Sequence, residues 1–128
     1  MYNYLSFLFH GIIVGFIIFQ TAILTPIVFK ALKPSAVSVL LRSIFPRFFM
    51  SIFFISFLIL ILVFLKKTDY SNYNVNVTTV CLSGLCYFLI PLTNSARDNR
   101  NSRLFSIYHN ISVVSTLLIL IINISVFF

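Results

Sequence analysis

Four long apolar stretches separated by short polar or basic loops fill nearly all of this chain, and that pattern fixes its class before any motif is read. They run from Leu5 to Phe29, Pro46 to Leu65, Val77 to Leu92 and Leu104 to Phe128. Each comes close to the roughly 17–25 residues that a helix needs to cross hydrocarbon. Of the 128 residues 60% are apolar and only 9% charged, against about 25% charged in soluble domains. So few charges cannot make a polar shell, and lipid must be the solvent for most of the surface. The predicted fold is all-α, an integral membrane four-helix up-down bundle forming one domain over residues 1–128. The first stretch has no basic residue before it and is too long for a secretory signal core, so it is read as a retained helix.

The net charge of +7 raises the question of nucleic acid, and the placement of the charges answers it. Lys30, Lys33, Arg42 and Arg47 lie in the first loop and Arg97, Arg100 and Arg103 around the third, whereas the second has Lys66 and Lys67 beside Asp69. Loops one and three share a side in a four-span chain. The positive-inside rule therefore places them in the cytoplasm and both termini in the periplasm, in a bacterial inner membrane. The expected partners are the bilayer and its anionic headgroups, with no nucleic acid.

Within the first loop, Val37, Leu40, Leu41, Ile44 and Phe45 recur at helical spacing after Ser35, a good capping residue. This predicts a short amphipathic helix lying flat at the interface between spans one and two. Phe45 precedes Pro46, so a sharp corner is expected there. The second loop, Lys66 to Asn76, reads as polar and irregular, and its Asn76-Val77-Thr78 is a glycosylation sequon in a eukaryotic host. Cys81 and Cys86 stand about 140° apart on one helix, which disfavours a disulfide between them.

Polar groups inside the spans are costly and deserve a reason. His10, Thr21 and Thr25 share one face of the first helix. About 110° round from it, Gly11, Gly15 and Ala22 form a small-residue strip that can admit another helix or a second copy of the chain. Thr79, Ser83, Cys86, Thr93, Asn94 and Arg97 share a face of the third helix, and His109, Ser112, Thr116 and Asn123 one of the fourth. These stripes are expected to face each other. Hydroxyls at such positions commonly return their proton to their own helix, so glue between helices is the plain account of them. His10 and Asn123, each about 10 Å outward of its helix midpoint, should meet, because the first and last helices of an up-down bundle are neighbours.

Haem is the one cofactor the histidines suggest. His10 and His109 lie about 20 Å apart in depth, so no single iron is ligated by both, and no cofactor is expected. No span contains an acidic residue to complete a zinc site. There is no nucleophile beside a base, no phosphate-cradling glycine loop and no carboxylate pair, so an enzyme is not expected. Three roles remain open: an accessory or small-solute-handling membrane protein, a haem-bearing membrane oxidoreductase, and a structural subunit of a larger complex.

Thr25-Pro26-x-x-Phe29-x-x-Leu32, Phe45-Pro46-x-Phe48-Phe49, Asn94-x-x-Arg97 and Phe105-x-x-Tyr108-His109-x-x-Ser112, in that order and in register with the spans, resemble the transmembrane protein 205-like family. Ser115 and Thr116 stand where an Asn often follows in that pattern. The resemblance implies a four-helix membrane fold and a polar cluster of Asn94, Arg97 and His109 at the cytoplasmic end, where Arg103 joins them. Such a cluster suits an anionic ligand or headgroup, or a clasp between helices.

Overall fold

A computed structural model describes residues 2–67 and 72–128. Among them there is no strand. Helix α1 (Tyr2–Ile18) passes through a π-helical turn, Phe19–Leu24, into α2 (Thr25–Ala31), and these three make the first span. The others are α3 (Pro34–Phe64), α4 (Tyr73–Asp98) and α5 (Ser102–Ser125), so that four helical stretches are long and apolar enough to cross a membrane. The chain is an integral membrane four-helix protein of the predicted class. Helix α3 packs on α4, α4 on α5, and α1 on both α5 and α3, which closes the ring. One end carries the termini and is called here the terminal end; the other carries loops one and three and is called the basic end.

The corner expected at Pro46 is absent. The segment from Ser35 to Phe45 is helical, as its periodicity predicts, but it runs without a break into the second span, with Pro34 in its first turn and no side-chain cap from Ser35. Proline inside a spanning helix is tolerated where neighbouring helices support the freed backbone. Here Phe45 stacks on Phe49 across the proline, with ring centroids 6.3 Å apart. Val37 is buried within the protein and Arg42 pairs with Asp98 of α4. The apolar face of this segment is thus turned partly to protein, with Val37 buried and Leu40, Leu41, Ile44 and Phe45 half-buried. At about 1.5 Å per residue α3 is roughly 46 Å long, well beyond the ~30 Å hydrocarbon.

The second loop is shorter than its polarity suggests. Helix α4 already begins at Tyr73, while the stretch from Thr68 to Ser71 lies outside the described residues. Asn76 is fully buried and donates to the carbonyl of Asn72 at 2.9 Å, which removes the sequon as an acceptor in the folded protein. Arg100, at φ 55°, takes the left-handed position that ends α4. Asn101 then caps α5 by accepting from the Leu104 amide at 3.2 Å. This tight turn holds α4 and α5 side by side at the basic end.

The two ends of the bundle are built differently. In the middle, Ile13, Ile17, Ile52 and Ile119 are fully buried, with Phe48, Ile55, Leu82 and Leu120 against them. Toward the terminal end the interior stays closed and becomes polar: His10, Ser56, Asn76, Thr79, Ser83 and Asn123 are all completely buried. Phe7 and Phe127 stack 5.8 Å apart over it. Toward the basic end the helices diverge. Helix α2 packs on α3, and no comparable packing joins the π-helical turn or α2 to α4 or α5.

Candidate functional site

That divergence leaves a cavity of about 490 Å³ at the basic end, walled by all four spans. Its polar residues are Gln20, Thr21 and Thr25 from the first span, Ser38 and Arg42 from α3, Thr93, Asn94 and Arg97 from α4, and His109, Ser112 and Thr116 from α5. Between them stand Ile17, Phe29, Phe45, Phe48, Phe49, Phe105, Val113 and Leu117. On α5 the wall runs from Phe105 to Leu120, about 22 Å along the axis. The cavity therefore reaches from the loops to the middle of the bundle.

Its shape follows from the π-helical turn. The Thr25 amide donates to the Gln20 carbonyl, five residues back, and the Thr25 hydroxyl donates to the same oxygen at 2.7 Å. In a regular helix Gln20 and Thr25 point about 140° apart. The wider i to i+5 turn brings them together, and the Gln20 amide reaches Thr25 Oγ1 at 3.5 Å. Pro26 follows directly; having no amide hydrogen, it could not have continued a regular ladder across this point. Gln20 was not legible as a site residue, because α-helical phase sets it off the face shared by Thr21 and Thr25.

The mouth is cationic and aromatic. The Arg97 guanidinium carbon stands 5.7 Å from the centre of the Phe105 ring, a cation–π distance. The His109 ring stacks on the same phenyl, 5.6 Å away and 7° from parallel. Arg42 makes a two-pronged pair with Asp98, one bond at 3.2 Å and a shorter one between Nη2 and Oδ1. Asn94, Arg97 and His109 thus share one cavity wall, as their place at the helix ends predicts. Arg103 does not line it. Six residues before His109, it points about 120° away around α5. Arg42 takes its place, reaching in from the α3 extension that runs on past the membrane core.

Ser112, Thr116, Thr21 and Thr25 also face the cavity, and their hydroxyls show why polarity alone misleads. Thr21 donates to the Ile17 carbonyl at 2.7 Å, Thr93 to Leu89 at 2.8 Å and Thr116 to Ser112 at 2.8 Å. Their protons are returned to their own helices.

His10 and Asn123 lie at the opposite end, and they do meet, with Nδ1 2.7 Å from Oδ1. The Asn123 amide donates to Thr79 Oγ1 at 3.0 Å and to the Ile119 carbonyl at 2.8 Å. Its oxygen is therefore the acceptor and His10 Nδ1 the donor. One asparagine ties three helices together. His10 Nε2, Ser56 Oγ and Asn76 Oδ1 are buried without a hydrogen-bond partner among the described residues. The two histidines stand at opposite ends of the bundle. Of the small-residue strip, Gly11 is covered by the chain's own Phe127, whose Cζ would be 3.7 Å from an added Cβ. Gly15 and Ala22 are exposed.

No curated protein and no solved structure matches the chain. One family model does, over residues 8–102, a stretch that holds Asn94 and Arg97 and stops before His109. That model describes a domain of unknown function (DUF4149); matched over most of its length, the chain belongs to this family.

Proposed function

We propose that this is a small-solute-handling membrane protein that holds an anionic molecule in the cavity at its basic end and performs no chemistry of its own. The observation that carries this reading is a walled space whose mouth presents Arg97, His109 and Asn94 together. Guanidinium is a permanent cation with planar donors suited to carboxylate or phosphate. A cluster that only clasped helices would fill the space between them. The likeness to transmembrane protein 205-like proteins fits the same reading, since Thr25, Phe29, Phe45, Phe48, Phe49, Phe105 and Ser112, on which it rests, also line the cavity.

Small molecules extracted from purified protein and analysed by negative-ion mass spectrometry test the proposal. An anion should accompany the wild-type chain in about equimolar amount and be depleted about tenfold from Arg97→Gln, the loss of one charge-assisted contact. Equal recovery from equal amounts of both folded proteins would remove it.

The orientation that suits this role puts the basic loops in the cytoplasm of a bacterial inner membrane, with both termini periplasmic. A reporter that works only in the cytoplasm should then be silent when fused after Phe128 and active when inserted at Arg100. The reverse pattern would invert the site's orientation.

A further inference from the structure

Resting on that reading of the cavity as an anion site, we infer that its occupant is an amphiphile with one aliphatic chain and an anionic head, admitted sideways from the leaflet at the basic end. The wall is divided along the membrane normal. Arg97 and His109 stand at the mouth, while Phe48, Val113 and Leu117 line the space below them. A compact hydrophilic anion would match the first group and leave the second unfilled. The polar residues below the mouth do not reverse this division: the hydroxyl protons of Thr21, Thr25, Thr93 and Thr116 are committed to their own helices, and the Gln20 amide is turned to Thr25 Oγ1.

Volume limits what can enter whole. The space of about 490 Å³ lies within the roughly 300–1,000 Å³ of small-ligand sites. One aliphatic chain with its head suits it, and a second chain would have to stay outside, in the leaflet. Charge sets the sign of the head. Asp98 is the carboxylate at this end; it is bonded by Arg42 and also feels the charge of Arg97, so two guanidinium groups stand against one carboxylate and the mouth keeps a net positive charge. The route is set by the packing. The first span is joined to α5 through α1, and beyond Ile18 nothing comparable closes the gap between them. Val113 and Leu117 of α5, which line the cavity, are also exposed at the surface of an apolar helix, so a chain already dissolved in the leaflet can slide in beside them without crossing water.

The test is photolabelling in phosphatidylcholine vesicles with a palmitate analogue that carries a diazirine in mid-chain, the labelled residues being mapped by peptide mass spectrometry. Labelling should saturate, fall on the cavity wall at Val113, Leu117 and Phe48, and drop about tenfold in Arg97→Gln and in Val113→Trp, which fills the space. Excess palmitate or single-chain lysophosphatidate should compete, and an alkyltrimethylammonium of equal length should not. Competition by palmitate alone would assign a carboxylate head, and lysophosphatidate competing at a lower concentration than palmitate a phosphate head. Should Val113→Trp fail to insert, Arg97→Gln and the competitor series still decide. Labelling confined to the lipid-facing Phe54, Phe88 and Ile121, or unchanged in Arg97→Gln, would overturn the inference. A compact anion lost from Arg97→Gln without cavity labelling would overturn the amphiphile alone, and the absence of both would overturn the anion site as well.

Discussion

Asn123→Leu should lower stability in a mild detergent by about 2 kcal/mol, as measured by reversible unfolding. It removes the bonds to His10, Thr79 and the Ile119 carbonyl and leaves a fully buried imidazole without a partner. A buried group so orphaned costs about 1–3 kcal/mol in water-soluble proteins, whereas single polar contacts in membrane bundles average nearer 0.6 kcal/mol. With three bonds lost at once the sum falls between these limits. His10→Leu combined with Asn123→Leu should recover about 1 kcal/mol of that loss, since no imidazole then remains unpaired. Strict additivity of the two changes would mean that the bond contributes nothing.

The second large effect separates the two ends of the bundle by one chemical change made twice on the same helix. Ser83 and Thr93 both face inward from α4 and both donate to a backbone carbonyl four residues back. Ser83 is completely enclosed, and Thr93 lines the cavity. Ser83→Phe should cost about 3 kcal/mol or abolish insertion, as overpacking does in a filled interior. Thr93→Phe should stay within about 1 kcal/mol of the wild type, because the ring enters existing space. Equal destabilisation of the two variants would mean that the cavity is closed in the membrane.

The sequence makes the spans and their inward faces legible because both depend on local periodicity. Asn123 and His10 could be paired from depth alone, and the stripe from Thr79 to Arg97 from helical phase. What it hides depends on breaks in that periodicity or on which helices touch. Gln20 enters the site only through an i to i+5 turn. Arg42 enters because α3 continues past Pro46, where the local preference of a residue before proline argues for a corner. Arg103, placed at the site by its position in the chain, is excluded by its phase on α5. Asn76 reads as a loop residue from its polar neighbours, but Tyr73 already starts the helix that buries it.

The bond between His10 and Asn123 has a consequence for biogenesis. It joins residues 113 positions apart, on the first and the last spans. During synthesis, which proceeds from the N-terminus, the first span must wait for its Asn123 partner until α5 has been threaded. Every ribosome-bound intermediate therefore carries a polar mark that the finished chain conceals. A protein cut short before Asn123 lacks the partner that conceals the His10 imidazole in the complete bundle.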